Sequence, residues 1–183
     1  DKENQQYLFN IIVPVFNAEK YIEKCLNSII KQSYKNYQVN LIDDCSSDYS
    51  YELALEFCNR HENFDISKNP RRLGALSNIN KLLSLNIEAP SKTIDILIDG
   101  DDYLYSGDVF HILYEKYLNT NCLITYGSHL SSKGVQGKKY PRLIRQLNLY
   151  RKYFWYASHL KTFRHDLWLS INKSDLLTHN GNY

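Results

Sequence analysis

The sequence predicts a single α/β domain with a mostly parallel central sheet flanked by helices. Three observations predict it. Short β-rich apolar runs alternate with helical stretches of about a dozen residues, the pattern of βαβ units. The 183 residues suffice for one domain with a two-sided core and are short for two. The unusual polar residues fall at the carboxyl ends of the expected strands, where open α/β sheets bind ligands.

Residues 9–15 (FNIIVPV) form a buried first strand. Next, Ala18, Tyr21, Ile22, Cys25, Leu26, Ile29 and Ile30 follow the i, i+3, i+4, i+7 stripe of an amphipathic helix, with Asn17 as its N-cap. Residues 37–43 (YQVNLID) are a second strand, closed by the turn-forming DDCSSD. Residues 51–58 are a helix and 64–69 (FDISKN) a short strand. After Gly74 a third helix covers 75–85, and 93–99 (TIDILID) is the fourth strand. A helix near 108–118 and a strand at 122–126 follow. Beyond Ser128 the alternation stops. SSKGVQGKKYPR (131–142) reads as a basic loop, YFWYASHL (153–160) as a strand added at the sheet edge, and TFRHDLWLSI (162–171) as a short helix.

Composition narrows the class. The chain is 43% hydrophobic and 23% charged, as ordinary soluble globular proteins are. No apolar run reaches the roughly 18 residues of a membrane span. The four cysteines lack CxxC spacing, so reduced, mostly buried thiols in a cytoplasmic protein are expected, without a zinc site. Between residues 133 and 173 ten Lys or Arg face one acid, Asp166. That surface should attract phosphates, acidic glycans or the cytoplasmic face of a membrane, a peripheral contact whose plain alternative is a solvated face. No nucleic-acid-binding motif accompanies the charge. A chain of this length without methionine reads as processed or as incompletely given.

The strand ends carry the chemistry. The first strand ends in Pro14, Phe16 and Asn17, the second in Asp43 and Asp44, and the fourth in Asp99, Asp101 and Asp102. Asp43, Asp44, Ser46 and Asp48 also suit turn and helix-cap roles. DGDD is harder to explain as a turn, because clustered carboxylates repel and require compensation. Hard oxygen ligands suit Mg²⁺ or Mn²⁺, which complete their shell with water and substrate phosphates. Gly100 lets the chain turn tightly, so that neighbouring carboxylates face one point. A cation held this way calls for a diphosphate, and hence a nucleotide-linked substrate. In NPRRLG, Arg71 or Arg72 suits a phosphate, with a solvated loop as the alternative. Walker A and GxGxxG patterns are absent, which argues against P-loop and NAD chemistry.

These residues, taken together, resemble the amino-terminal signature of family 2 glycosyltransferases with the Rossmann-like GT-A fold. That signature is P-x-Tyr/Phe-N, here Pro14 to Asn17; a helix ending S-hydrophobic-hydrophobic-x-Q, here Ser28 to Gln32; and D-D-x-S-x-D, here Asp43 to Asp48. N-x-x-x-x-G followed by Asn is matched by Asn69, Gly74 and Asn78, and the DxD metal motif by Asp99 to Asp102. These motifs occur in order over about 95 residues.

The resemblance implies a glycosyltransferase that takes a nucleotide-sugar, with a UDP-sugar favoured, and usually inverts the anomeric centre. Its acceptor would be a glycan, protein or lipid. Pro14 and Phe16 would flank the base, with Asn17, Asp44, Arg71, Arg72, Asn78, Asp99 and Asp101 completing the nucleotide site. Asp44 would bond the base imide. Asp101, near the ribose, and Asp102 would hold Mn²⁺ or Mg²⁺. SHLKTFRHDLW resembles a segment lining the donor-sugar and acceptor side, so His159, Lys161 and Arg164 are candidates there, His159 also as a third metal or phosphate contact. The same segment suits an edge strand plus a helix with Leu167 and Trp168 in the core. Residues 1–128 would form the nucleotide-binding half and 129–183 a truncated acceptor-side half. The family's catalytic acid usually follows this segment. Here only Asp175 does, so the base is expected beyond Tyr183, with Asp175 a weak substitute.

Other classes fit less well. A sugar nucleotidyltransferase wants a Gly-rich basic loop after the first strand, which PVFNAEKY lacks. DxD phosphatases carry the motif after the first strand, not the fourth, and a receiver domain does not match DGDD. A non-catalytic nucleotide-sugar-binding module remains the alternative.

Overall fold

The computed structural model describes residues 6–131, 133–137, 141–147, 149 and 158–176. Its strands are β1 (Leu8–Val15), β2 (Tyr37–Asp43), β3 (Phe64–Lys68), β4 (Thr93–Leu97), β5 (Ile124–Gly127) and β6 (Ser158–Arg164). They form one six-stranded sheet in the order β3-β2-β1-β4-β6-β5. The first four strands are mutually parallel, and β6 runs antiparallel to both β4 and β5. The helices are α1 (Ile22–Ile30), α2 (Ser50–Cys58), α3 (Ala75–Leu83), α4 (Val109–Asn119), α5 (Arg142–Gln146) and α6 (His165–Leu169). The mixed α/β architecture read from the sequence is the one observed.

A strand covered on both faces loses its polar alternation, which is why β1 reads as continuous apolar sequence. Phe9, Ile11, Val13 and Val15 pack with Ile22, Cys25, Leu26 and Ile29 of α1, Ala54 and Phe57 of α2, and Phe110 of α4. On the opposite face Ile12 joins Ile42, Leu82 and Leu83 of α3, and Trp168 of α6. Each such fully buried side chain contributes about 1.5–3 kcal/mol relative to exposure. The chain winds from β1 outward to β2 and β3, then returns to the other flank of β1 with β4. That reversal leaves a crevice where the loops after β1 and β4 part, the place open α/β sheets use for ligands.

Two expectations are corrected here. Asn17 is not the N-cap of α1. The helix begins a turn later, with the Tyr21 and Ile22 N–H groups donating to the Ala18 carbonyl. Asn17 instead takes a left-handed conformation (φ 48°), where its carboxamide accepts the Ser47 N–H at 2.9 Å. Tertiary pairing outcompetes local capping.

The late strand is not at the edge either: β6 lies between β4 and β5, and β5 is the edge. Thr162, fully buried, anchors it there through hydroxyl bonds to Tyr117 (2.7 Å) and Thr125 (2.6 Å). The helix expected over 162–171 is correspondingly short, since Thr162 to Arg164 belong to β6. The part of the expected strand before residue 158 lies outside the described residues. The segment after Ser128 begins as a small hairpin, with a Leu130–Gln136 bridge and a Ser131 N–H bond to the Val135 carbonyl.

All four cysteines are free thiols, with Cys25 and Cys58 buried. Among the described residues no helix is long and apolar enough to cross a membrane.

Candidate active site

The crevice holds a cavity of about 190 Å³ whose wall includes Pro14, Phe16, Asp44, Arg72, Gly74, Asn78, Asp99 and Asp101. Its first side is two loops laced together. Asn17 N–H donates to the Ser46 hydroxyl (3.0 Å), Ala18 N–H to the Ser50 hydroxyl (2.7 Å) and Glu19 N–H to Asp48 (3.2 Å). Asp43 accepts the Ser46 N–H and Asp48 the Ser50 N–H. DDCSSD therefore does perform turn and cap chemistry, and through it fixes the loop that presents Phe16. The Arg72 guanidinium lies 4.0 Å from the Phe16 ring centroid, a cation–π contact at the cavity mouth.

Asp44 ties down the second side. It accepts N–H bonds from Leu73 and Gly74, both 2.8 Å, and the Asn69 side-chain amide at 3.0 Å. Burial pushes its pKa up, but the bonds from Leu73 and the neighbouring donors outweigh that and hold it below the usual carboxylate value. Asn69 also donates to Asn78 at 2.6 Å and accepts from Lys81. Gly74 enters α3 at φ 90°, where a side chain would be strained. The Asn78 Nδ2 group is buried without a hydrogen bond of good geometry. It faces Asp44, whose pKa it helps lower, at the cavity wall.

The third side is DGDD. After β4 the chain keeps pairing with β1, through Ile98 N–H to the Ile12 carbonyl and Gly100 N–H to the Pro14 carbonyl, both 3.1 Å. Asp102 N–H closes a turn onto the Asp99 carbonyl. A Cβ at Gly100 would sit 3.2 Å from the Pro14 oxygen and from Val15 Cγ2. Close approach to β1, more than the turn itself, is what calls for glycine.

Helix α1 holds the loop beyond DGDD. Ser28 Oγ accepts the Leu104 N–H at 3.0 Å. Gln32 donates to the Ser106 carbonyl (2.6 Å) and accepts the Phe110 N–H (3.1 Å), and Ser33 N–H donates to the Gly107 carbonyl (2.7 Å). The S-x-x-x-Q spacing is thus a clamp between α1 and the acidic loop, a positioning role that sequence reading quoted but did not assign.

The acids meet a histidine from β6. Ligand atoms of Asp99, Asp102 and His159 lie within 4.8 Å of one another. His159 Nδ1 is 3.2 Å from Asp102 and 3.8 Å from Asp99, and all three side chains are about half exposed. Burial raises the Asp99 pKa, and Asp102 and Asp101 add to it against the pull of His159 and Lys161. Negative charge here is incompletely compensated. The expected metal pair was Asp101 and Asp102. The structure groups Asp102 with Asp99 and His159, and puts Asp101 in the wall of the crevice cavity.

The remaining candidates divide. Arg72 reaches the cavity wall, and Arg71 is exposed outside it. Lys161 is exposed on β6 with its charge felt by Asp99. Arg164 pairs with Asp166 and lies beside Ile94, at the opposite end of β4 from the acids. Asp175 is exposed in a short 3-10 turn (Lys173–Leu176) and does not line this cavity.

Residues 10–181 match the family model for glycosyl transferase family 2. The chain belongs to that family. Among curated relatives, glycosyltransferase GlyA of Streptococcus pneumoniae is 32% identical over 135 residues, covering 73% of this chain and 18% of its own length. Staphylococcus aureus TarS (residues 1–349), solved with UDP-GlcNAc, superposes with a TM-score of 0.69 at 21% identity, over 91% of this chain and 47% of its own. The mannosyltransferase PcManGT of Pyrobaculum calidifontis, solved with GDP-Man and Mn²⁺, superposes at 0.63 with 17% identity, over 87% of this chain and 45% of its own. These likenesses establish the GT-A fold of the family 2 domain. The chain spans between 18% and 42% of the length of the first curated relatives it matches.

Proposed function

We propose that this family 2 domain is the donor-binding core of a metal-dependent glycosyltransferase. It would move a sugar from a UDP-sugar to a hydroxyl of an acceptor, with inversion. The observation that carries the proposal is the Asp99–Asp102–His159 cluster, which adjoins the crevice cavity through Asp99. Two carboxylates and an imidazole, half exposed and short of countercharge, fit Mn²⁺ or Mg²⁺ with coordination positions left open. When bound, the cation would neutralise the departing diphosphate.

The chain's own residues do the rest. Phe16 and Arg72 clamp the base. Asp44 is engaged by the 69–74 loop and by the neighbouring Asn78 amide, so a base imide would reach it in exchange for Asn78. Asn78 Nδ2, so released, would donate to a ligand oxygen. Asp101 adjoins the ribose, and Asp102 and His159 face the sugar side. Among the described residues, the carboxylates of the cavity and the adjoining cluster are Asp44, Asp99, Asp101 and Asp102. Each has a role above, so the proton acceptor is assigned to none of them.

The test is release of UDP from UDP-GlcNAc, UDP-glucose and UDP-galactose with Mn²⁺, with and without mixed glycan acceptors. Metal-dependent release from at least one donor supports the proposal. Binding of UDP without turnover of any donor would favour a non-catalytic binding module. No binding of UDP at all would defeat both readings.

A further inference from the structure

At the opposite end of β4 and β6 from the acids lies another cavity, of about 460 Å³, which the proposed function does not use. Lys92, just ahead of β4, and Arg164, the last residue of β6, line it together. Lys92 precedes Asp99 by seven residues, roughly 20 Å of extended chain. A group held here is therefore separate from anything bound at the acidic cluster.

The wall is rich in hydrogen-bond donors. Asp166 pins the Arg164 guanidinium by taking its Nε and Nη2 groups. A guanidinium carries about five N–H donors in a rigid fork, so some three remain. The Lys92 ammonium, the Tyr7 and Ser91 hydroxyls and the Asn121 carboxamide also line the cavity. Among the described residues none of these four groups has a hydrogen bond or ion pair. Tyr117, 3% exposed, fills in behind them; its ring centroid lies 6.2 Å from that of Tyr7, and its own hydroxyl is committed to Thr162.

Helix α4 ends at this wall, and its last carbonyls draw on the same cations. The site therefore suits one small anion at the Lys92–Arg164 rim rather than a polyanion. A tetrahedral oxyanion offers enough acceptor oxygens to meet an ammonium, a guanidinium edge and neutral donors at once. We propose that this cavity binds a phosphate monoester, remote from the catalytic end of the sheet. Soluble phosphate esters and lipid headgroups both present that group, and the experiment separates them.

Amide-resolved NMR titration of the full chain tests this. The probes are inorganic phosphate and glycerol 3-phosphate, with sodium chloride at matched ionic strength as the control. Saturable shifts should centre on Ser91, Lys92, Asn121 and Arg164, and chloride should not reproduce them. Lys92→Gln should weaken binding roughly fivefold, the upper scale of an exposed charge pair. Arg164→Lys, which keeps the charge but loses the fork, should weaken it too. Thermal denaturation shows that both variants are folded. Flotation with phosphatidylcholine vesicles containing or lacking phosphatidic acid identifies the source. Recruitment by phosphatidic acid that Lys92→Gln abolishes points to a headgroup, and phosphate binding without recruitment points to a soluble ester. Shifts that do not saturate, that chloride reproduces, or that bypass these residues for Asp99 to Asp102 overturn the inference. So does a Lys92→Gln titration equal to wild type.

Discussion

Replacing Gln32 by leucine keeps the side-chain volume but removes the clamp between α1 and the acidic loop. Gln32 is 1% exposed, and its amide bonds the Ser28 and Ser106 carbonyls and the Phe110 N–H. Phe110 stands in the first turn of α4, whose N-cap Asp108 makes no side-chain cap bond. Gln32 thus satisfies an N–H that the helix itself cannot. Each bond contributes about 1 kcal/mol net, and leaving a buried partner unpaired costs about 1–3 kcal/mol. With some relaxation the loss should be about 2–4 kcal/mol, a shift in Tm of roughly 10 °C for a chain of this size. Urea denaturation measures the stability, and calorimetric titration of UDP with Mn²⁺ measures the site. Gln32→Glu keeps an acceptor for Phe110 but turns a carboxylate oxygen onto the Ser28 and Ser106 carbonyls, so it should cost at least as much at neutral pH. If Gln32→Leu is within about 0.5 kcal/mol of wild type and binds UDP equally well, the clamp does not hold the loop.

Three further outcomes follow from the same geometry. In Gly127→Ala the new Cβ would meet the His159 carbonyl oxygen at 2.7 Å and the Leu160 nitrogen at 2.8 Å, both backbone atoms. It should lower stability by about 1–3 kcal/mol and weaken Mn²⁺ binding by displacing His159; an unchanged Tm would contradict the β5–β6 register. Asp95, buried with Asn10 at 2.7 Å and His165 at 2.8 Å, has its pKa pushed up to about 6, by burial first and despite both partners. The folded state therefore holds this proton more tightly than the unfolded state. Wild type should gain stability relative to Asp95→Asn as pH falls from about 6 toward about 4, where the unfolded carboxyl titrates, and lose it on the way back up. Parallel denaturation curves across that range would show the opposite slope if Asp95 were ionised throughout. Gly100→Ala, facing contacts at 3.2 Å, should fold but weaken UDP binding, read by the same titration.

Local signals carried the parallel half of the fold, because β1, β2 and β4 are buried on both faces and punctuated by turn residues. The β6 insertion was not legible. Strand order depends on which neighbour completes the core, and the Thr162 hydroxyl network appears only once Tyr117 and Thr125 are brought together. The site divided the same way. Pro14, Phe16, Asp44, Arg72, Asn78, Asp99 and Asp101 converge on one cavity as their strand-end positions suggested, with Asp102 set just outside it. Grouping His159 with Asp99 requires antiparallel pairing of β6 with β4 across some 60 residues, which no spacing encodes. Arg164 could have been set aside from sequence, since Asp166 two residues on is its partner. Asn17 looked like a cap because caps and left-handed corners favour the same residue type.

The most direct test is calorimetric titration of UDP with and without Mn²⁺, in wild type and in Asp102→Asn, His159→Ala and Asp101→Asn. UDP should bind measurably only with the cation. Asp102→Asn and His159→Ala should each cost about tenfold or more in Mn²⁺ affinity. Asp101→Asn should weaken UDP while leaving Mn²⁺ affinity nearer wild type. UDP binding that ignores Mn²⁺, or Mn²⁺ affinity abolished by Asp101→Asn and untouched by Asp102→Asn and His159→Ala, would contradict the assignment of the cluster.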